Sequence, residues 1–388
     1  MKVFWYVSPV DGPFPWKPEG RSAPDHRNVV SLAKTIDRLP FAGALFGTYG
    51  HDVWTTASTL IPLTEKMRFL IPIYPGITSP RLLAQQALTF DDYSNGRLLF
   101  NLVNGTDTVL AQYGLHVPHD ERYELSAEYW DAFRKLYSGK AVVHDGRYFK
   151  VSRNREIEGP TSLPVPPRQL PHPPLWGAGA SPAGVRHAAE IVDTYLAFLN
   201  RPDRLSAQLG EARTAAAARG RGLDAGVALW IIVRKTEEEA QAQLRWLLEQ
   251  TGADWIRHQV DIDLRRALGG NVSLDNLTSP DPQLQRRIDA LRAGRIPELA
   301  DLQLAPHLYT GPTPPSALDV IGTGRGTYLV GNPHQVAKVF RDLQASLGVN
   351  VFILQNYPLE SEAERVADLL LPLLDLDDEW SAARAAAS

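Results

Sequence analysis

Small polar and aromatic residues that could bind a ligand follow short apolar runs along this sequence. In "SNGRLLFNLVNGTD" (94–107), an apolar run broken only by Asn101 ends in four small polar residues, beginning with Asn104. Such a stretch could simply end a buried strand, or it could meet a ligand there. Comparable stretches lie at 8–11, 48–52, 74–79, 177–181, 230–234, 322–326 and 356–357.

These candidate positions are poor in catalytic acids and bases. His51 is the one histidine near the end of a predicted strand, and the sequence offers no carboxylate pair, Ser-His-Asp order or metal-spaced histidine cluster. The chain has no cysteine, which excludes disulfides, thiolate metal sites and a cysteine nucleophile. We therefore expect no metal site, and a bound cofactor that supplies the difficult chemistry.

The composition is that of an ordinary globular protein. Of 388 residues, 44% are hydrophobic and 22% charged, and the net charge is −4. This balance gives no basic surface for nucleic acid and no polybasic membrane patch. The N-terminus lacks the long apolar core of a signal peptide, and no run approaches a membrane span. A cytoplasmic protein without nucleic-acid or membrane partners is expected.

Short β-like runs alternate with amphipathic helical patterns. This alternation predicts parallel βαβ units, and eight strands favour an α/β fold of the (β/α)8 TIM barrel type with insertions. A doubly wound sheet has the same local pattern and stays open as an alternative. Strands are predicted at 3–8, 43–47, 68–75, 98–104, 173–180, 194–199, 226–234 and 349–357, and helices at 28–39, 52–64, 79–94, 123–139, 181–192, 236–250 and 360–374.

One domain, residues 1–374, is expected, with insertions at about 141–172 and 251–320. The first insertion contains a hairpin-like piece, "HDGRYFKV", and a proline-rich crossing. The second is polar and proline-punctuated, with a helix near 282–293, and we expect it to form a mobile lid because long loops in compact domains are commonly functional. Residues 375–388 are expected to be a loosely held C-terminal tail.

Two glycine-rich runs could bind phosphate. In "GAGASPAG" (177–184) glycines permit close backbone approach, and Ser181 opens a predicted helix whose N–H groups could bind an anion. The run "GTGRGTYLVG" (322–331) has the same ambiguity, since "TYLVG" is also typical of a buried strand. A plain tight turn is the alternative for both runs. The first run is not the dinucleotide-binding fingerprint, because its third glycine is misplaced.

Several stretches fall in the order found in a known family: "FWYVSP", "RFLIPIYPGITSPRLLAQQALTFDDYSNGRLLFNLVNGTD", "HDERYELSAEYW", "PPLWGAGASPAGVRHAAE", "IIVRKTEEEA", "GTYLVG" and "QNYP" followed by "EAERVADLLLPLLD". On these stretches the chain resembles the bacterial luciferase-like flavin monooxygenases, closest to the alkanesulfonate monooxygenases. The resemblance implies a (β/α)8 barrel and reduced FMN delivered by a separate NAD(P)H-dependent flavin reductase. It also implies activation of O2 as a flavin C4a-(hydro)peroxide, and a homo-oligomer (dimer or tetramer).

The resemblance also implies the residues of the cofactor site. Asn104 would touch the flavin, Tyr74 would mark a backbone bulge against the ring, Ser181 would hold the phosphate, and Tyr123 would belong to the same site. Gly179 and Ala180 complete the phosphate turn. Two catalytic residues are predicted: His51, because luciferases keep a histidine close to this position, and Tyr357, which matches a family tyrosine.

The chain departs from the alkanesulfonate monooxygenases where they carry a cysteine, histidines and arginines. Those positions are here Gly50, Val10, Ala228, Trp230, Gly322 and Leu359. A buried sulfonate without cationic partners would be costly, whereas Trp230 and Leu359 add apolar area. Four residues are therefore predicted to bind substrate, namely Val10, Trp230, Leu359 and Arg325, the last of which could replace the missing arginine by a shift.

The sequence thus predicts a two-component monooxygenase that uses reduced FMN to oxygenate a neutral, fairly apolar organic substrate. Three alternatives stay open. They are an alkanesulfonate monooxygenase that releases sulfite and an aldehyde, an F420-dependent oxidoreductase, and a non-catalytic flavin-binding barrel.

Overall fold

The computed structural model describes residues 1–48, 50–139, 142–153, 165–268, 270, 272–314 and 318–377. These residues form two compact units. Unit 1 contains residues 1–41, 197–208 and 226–376, and unit 2 contains residues 42–196 and 209–225. Part of the predicted first insertion (154–164) and most of the predicted tail (378–388) lie outside the described residues.

The described strands, in chain order, are β1 Lys2–Val7, β2 Gly43–Phe46, β3 Arg68–Ile73, β4 Leu98–Leu102, β5 Val142–Asp145, β6 Lys150–Arg153, β7 Leu175–Ala178, β8 Thr194–Phe198, β9 Asp224–Val233, β10 Gln303–Ala305, β11 Leu308–Thr310, β12 Thr327–Gly331 and β13 Val349–Gln355. The described α-helices are α1 His26–Arg38, α2 Val53–Leu60, α3 Pro80–Ser94, α4 Asp107–Gln112, α5 Glu121–Tyr137, α6 Pro182–Ile191, α7 Pro202–Ala217, α8 Glu237–Thr251, α9 Ala253–Leu268, α10 Pro282–Arg292, α11 Leu299–Leu302, α12 Pro333–Leu347 and α13 Leu359–Leu369.

In unit 1 the strands follow the order β10-β11-β12-β9-β13-β1. β1 runs parallel to β13, and β12 runs parallel to β9, with Tyr328 opposite Trp230. At the edge, β10 pairs antiparallel with β11, and β11 pairs antiparallel with β12. Helix α12 covers this sheet through Phe340, whose ring stacks on Phe352 of β13 with centroids 4.3 Å apart. The parallel strands therefore deliver their carboxyl ends to one edge of the sheet.

In unit 2 the strands follow the order β2-β3-β4-β7-β8, all parallel. The core beside them is aromatic: Phe100 of β4 lies 5.4 Å from both Trp130 and Phe133 of α5. Helix α3 begins at Ser79, whose side chain accepts the Leu82 N–H at 3.1 Å. Pro80 occupies the first helical position, where its missing N–H costs nothing.

The predicted hairpin is confirmed as the antiparallel pair β5–β6, within unit 2. Its turn is held on α5 by Glu128, whose carboxylate accepts backbone N–H groups of Arg147, Tyr148 and Phe149 at 3.0, 2.9 and 2.7 Å. The hairpin is therefore fixed to the helix by charge-assisted hydrogen bonds rather than by apolar packing alone.

All eight predicted strands are present, within a few residues. Five of the described α-helices were not predicted, namely α4, α7, α9, α11 and α12. Helix α4 is short, and α9 falls in the stretch interpreted as a long polar loop. In α9 the buried residues are only Ile256, Val260 and Leu264, one at each turn, so its apolar stripe is too narrow to stand out from the polar sequence.

The two sulfur-containing side chains are shielded from solvent. The chain has two methionines and no cysteine. Met67 is fully buried, and Met1 is 6% exposed. Among the described residues, no helix combines the length and apolar character needed to span a lipid bilayer.

Candidate functional site

The polar stretch after β4 is built by four different local interactions. Gly105 has a positive φ (+70°), and a Cβ there would approach Leu110 to 2.9 Å. Thr106 caps α4, and Asp107 pairs with the Arg122 guanidinium, which also donates to the Gly105 carbonyl at 3.1 Å. These contacts account for three of the four residues and hold the stretch against α5.

None of these contacts involves the side chain of the fourth residue, Asn104. Neither its amide nitrogen nor its amide oxygen is exposed, and neither has a hydrogen-bond partner among the described residues. A buried amide with an unmet donor and acceptor costs free energy unless a ligand satisfies it. Tyr74, after β3, lies beside this turn, because a Cβ on Gly105 would come within 3.4 Å of the Tyr74 ring. Asn104 and Tyr74, both predicted for the cofactor site, are therefore neighbours.

A second part of unit 2 is suited to an anion. Ser181 caps α6 by accepting the Gly184 N–H at 3.1 Å, and the Tyr123 hydroxyl lies 3.2 Å from the Ser181 Oγ. Gly179 and Gly184 are in close contact, since a Cβ on Gly179 would approach the Gly184 backbone to 2.7 Å. Ala180 is exposed at the turn. The turn thus brings together the predicted residues Tyr123, Gly179, Ala180 and Ser181 at a helix N-terminus, where anions are favoured.

The far side of Tyr123 packs on a buried histidine. The His187 ring lies 5.5 Å from the Tyr123 ring, and burial lowers the pKa of His187 to about 4. Its Nε2 is buried without a partner among the described residues. His187 is therefore neutral at physiological pH, and it packs on the tyrosine without placing a charge behind this turn.

The other glycine-rich run, in unit 1, is closed to anions. Asp319 fills it: its Oδ1 accepts the Gly322 and Thr323 N–H groups at 2.7 and 3.0 Å, and its Oδ2 accepts the Gly324 N–H at 2.5 Å. A carboxylate of the chain already occupies the place that a phosphate would take. The phosphate interpretation is therefore wrong for this run, and its strand interpretation is confirmed by β12.

A cavity of about 330 Å³ lies in unit 2, at the carboxyl ends of β2 and β3. His51 lies in its wall, and the Thr48 Oγ1 and Tyr74 Oη lie 3.4 Å apart there. No lysine or arginine occurs among the described residues that line it. They are Thr48, Gly50, His51, Asp52, Val53, Trp54, Pro72, Ile73, Tyr74, Ile77, Thr78 and Tyr113.

Tyr357, in unit 1, belongs to a chain of buried rings. Its ring centroid lies 5.7 Å from that of Trp230 and 6.4 Å from that of Trp16, and Trp230 stacks on Tyr328 at 5.5 Å. All four rings are at most 8% exposed. Tyr357 and Trp230, predicted from the sequence for catalysis and for substrate binding, are therefore brought together, and Trp16 and Tyr328 join them unpredicted.

The remaining predicted substrate residues also lie in unit 1. Leu359 is fully buried and begins α13, while Val10 is half-buried after β1. The Arg325 guanidinium lies over the Phe198 ring, 6.0 Å from its centroid, and has no carboxylate partner among the described residues. Asp11, next to Val10, was not predicted to matter, yet its carboxylate accepts the Leu359 N–H at 2.9 Å.

Polar groups that could bind a ligand thus lie at the carboxyl ends of β2, β3, β4 and β7, as in barrel enzymes. A family model described as luciferase-like monooxygenase matches residues 1–350. The chain belongs to the luciferase-like monooxygenase family. It is a flavin-dependent monooxygenase with the (β/α)8 barrel fold, acting with O2 on an organic substrate.

Solved structures share this fold at low sequence identity. They include a riboflavin lyase with modified FMN and riboflavin (16% identity, 98% of this chain and 94% of that chain covered, TM-score 0.72) and the EDTA monooxygenase of Chelativorans sp. BNC1 (21%, 98% and 96%, 0.69). They also include the coenzyme F420-dependent tetrahydromethanopterin reductase of Methanopyrus kandleri (17%, 96% and 99%, 0.63). At these identities the likeness establishes the fold alone.

Proposed function

We propose that this protein is the oxygenase of a two-component system and uses reduced FMN to oxygenate a neutral, fairly apolar organic substrate. The observation that carries the proposal is the buried amide of Asn104, which has both a donor and an acceptor to offer and no partner among the described residues. An isoalloxazine ring presents carbonyl oxygens and an N–H at its edge, so it can satisfy such an amide on both sides.

The remaining cofactor residues fit FMN in chemical type. Ser181 and the N-terminus of α6 would hold the phosphate, with the Tyr123 hydroxyl beside them and the Gly179–Ala180 turn allowing close approach. Tyr74 would face the ring, next to Asn104. Bound reduced FMN would supply the activation of O2, for which the described side chains have no substitute.

The cavity at β2 and β3 supports a neutral substrate. Its wall carries the hydroxyls of Thr48 and Tyr74, apolar side chains and Asp52, whose Oδ1 already accepts the Thr55 N–H at 2.7 Å. An anion would have to shed its water here without a guanidinium or ammonium to replace it, which costs several kcal/mol. A compact neutral molecule with one hydrogen-bonding group suits this wall better.

Two side chains are proposed to act on the reacting groups. His51, in the cavity wall, would exchange a proton with the substrate, and it is the one histidine among the described residues that line this cavity. The Tyr357 hydroxyl would donate a hydrogen bond to the oxygen of the reacting substrate. The buried rings around Tyr357 exclude water from that hydroxyl and so strengthen the hydrogen bond.

The enzyme would depend on other proteins. A separate NAD(P)H-dependent reductase is proposed, from the family resemblance, to supply reduced FMN. A homo-oligomer, dimer or tetramer, is proposed from the family resemblance.

A second candidate function rests on Arg325. Its guanidinium lacks a carboxylate partner among the described residues, and an anionic substrate group could supply one. The enzyme would then be an alkanesulfonate monooxygenase. Sulfite release from an alkanesulfonate, lost in Arg325→Ala, would favour this candidate, whereas oxygenation of a neutral ketone or alkane with no sulfite release would favour the first.

The primary test is anaerobic titration of the protein with reduced FMN, oxidised FMN and F420. We expect tight binding of reduced FMN, weakened about tenfold or more in Asn104→Ala and unchanged in Asn28→Ala, which removes an exposed amide from α1. A pulse of O2 with a panel of neutral ketones and alkanes should then give substrate-dependent O2 consumption. Preference for F420, or equal effects of the two asparagine variants, would overturn the proposal.

A further inference from the structure

The Tyr357 ring packs against two tryptophan rings, and the loop that carries it sets the position of its hydroxyl. The ring meets Trp230 on one side and Trp16 on another and is 3% exposed. A ring packed in this way has little freedom of its own. The place of its hydroxyl therefore follows from the backbone of residues 356–359, which joins β13 to α13.

A hydrogen bond to Glu362 of α13 holds one end of this loop. The Glu362 Oε2 accepts a hydrogen bond from the Asn356 side-chain amide at 3.0 Å, one residue before Tyr357. The carboxylate itself cannot move, because Arg234 donates to both of its oxygens at 3.0 Å and the Glu362 side chain is 4% exposed. This bidentate pair fixes the carboxylate in orientation as well as in place.

A hydrogen bond to Asp11, which follows β1, holds the other end of the loop. Its Oδ1 accepts the N–H of Leu359, two residues after Tyr357, at 2.9 Å and the N–H of Gly12 at 2.7 Å. The Leu359 carbonyl accepts from the Trp5 indole N–H at 3.0 Å, so both backbone groups of Leu359 are engaged. Burial raises the pKa of Asp11, although the two N–H groups oppose the rise. Burying this carboxylate therefore costs desolvation free energy, which the two N–H bonds partly offset.

We propose that Asp11 and Glu362, here named the carboxylate clamp, are positioning residues that place the Tyr357 hydroxyl for the reaction. The proposal rests on the proposed function, in which that hydroxyl touches the substrate oxygen. The clamp also joins the segment of Val10 to the loop of Tyr357, since Asp11 is the next residue after Val10 and bonds directly to Leu359. A displacement of Val10 on substrate binding would thus be transmitted through Asp11 to the loop of Tyr357.

The test compares Asp11→Ala with Asp11→Asn. The asparagine oxygen can accept the same two N–H bonds without a charge, so Asp11→Asn should restore what Asp11→Ala loses. Glu364→Ala is the control: Glu364 also lies in α13, but its carboxylate accepts from the Arg38 guanidinium and does not bond to the loop. Glu362→Gln examines the other end.

Two readouts are needed. Near-ultraviolet circular dichroism reports the tyrosine and tryptophan rings of the cluster without any ligand. The return of oxidised-flavin absorbance after a pulse of O2 to the protein with reduced FMN and a neutral ketone or alkane that the wild type oxygenates reports the chemistry at the substrate. Asp11→Ala should change the ring spectrum and slow the reoxidation about tenfold with the affinity for reduced FMN unchanged, while Asp11→Asn and Glu364→Ala stay within about threefold of the wild type.

Tyr357→Phe separates the two levels of the proposal. If the clamp acts through the tyrosine, Asp11→Ala adds nothing to the reoxidation rate in the Tyr357→Phe background. Additive effects, or a wild-type rate for Asp11→Ala when Tyr357→Phe is impaired, would refute the clamp and leave the function of Tyr357 standing. A wild-type rate for Tyr357→Phe would remove the role of the tyrosine, and the clamp proposal would fall with it, while binding of reduced FMN tests the cofactor independently.

Discussion

Two glycine-rich turns of this protein have similar sequences but different surroundings. The turn at 177–184 presents a capped helix N-terminus beside a tyrosine hydroxyl, whereas the turn at 322–326 has its N–H groups filled by Asp319. Glycines thus permit a turn of N–H groups in both places, but they do not decide what the groups bind. The deciding feature is whether the chain itself supplies an anion.

The comparison predicts the largest effect at Asp319. Asp319→Ala leaves three backbone N–H groups without their acceptor, one of them on the buried Gly324, so the free energy of unfolding should fall by about 4 kcal/mol. Urea unfolding measures the loss. Inorganic phosphate should restore more stability to Asp319→Ala than it adds to the wild type, because only the variant has an empty second turn. Equal stabilisation of both would contradict the distinction between the turns.

Gly179→Ala tests the close approach that defines the first turn. The new Cβ would lie 2.7 Å from the Gly184 backbone, so the turn must open, at a cost of about 3 kcal/mol and with loss of measurable FMN binding. Gly210→Ala is the control, because a Cβ there meets nothing within 4 Å and Gly210 lies inside α7. That variant should gain about 1 kcal/mol. Retained FMN binding in Gly179→Ala would show that the turn is not part of the cradle.

The buried histidine behind the first turn predicts a dependence on pH. Since burial lowers the pKa of His187 to about 4, the unfolded chain takes up its proton first as the pH falls below about 6.5. The His187 contribution is fully present above that pH and is lost between about 6.5 and 4, by up to about 3 kcal/mol. His187→Gln should flatten this part of the stability profile. His119→Gln, an exposed histidine beside the same Tyr123 ring, should leave it unchanged.

The smallest effect is predicted for Ser181→Ala. Loss of the helix cap should cost about 1 kcal/mol, and the affinity for FMN should fall about tenfold, while the affinity for riboflavin, which has no phosphate, stays the same. Ser79→Ala provides the control in unit 2, because Ser79 caps α3 in the same way. It should lose similar stability without any change in FMN binding. A parallel loss of riboflavin affinity in Ser181→Ala would place the serine away from the phosphate.

Local patterns predicted the strands better than the helices, since the long helices α7 and α12 were missed. The strands were predictable because apolar runs with turn residues at their ends occur at each of them, and the start of α3 followed from Ser79 and Pro80. The neighbourhood of Asn104 and Tyr74 was predictable from the order of strands and from the family resemblance. Asp319 was also visible in principle, as an aspartate three residues before the first glycine of its turn.

Contacts between distant positions were not predictable. Asp11 and Leu359 are 348 residues apart, and Trp16 meets Tyr357 and Trp230 only after folding. Periodicity within a segment carries no information about such pairs. The prediction missed helix α9 for a different reason, since three buried side chains in a polar sequence give a weak helical pattern.

The placement of the two methionines bears on how long each molecule would stay active. Enzymes that activate O2 release some hydrogen peroxide, and sulfur is the first element of a protein that peroxide attacks. This chain has no cysteine, Met67 is fully buried and Met1 is 6% exposed. Hydrogen peroxide that the enzyme releases therefore finds no exposed sulfur atom of the enzyme to oxidise. The working lifetime of the enzyme would instead be limited by slower damage to tryptophan and tyrosine rings, including those around Tyr357.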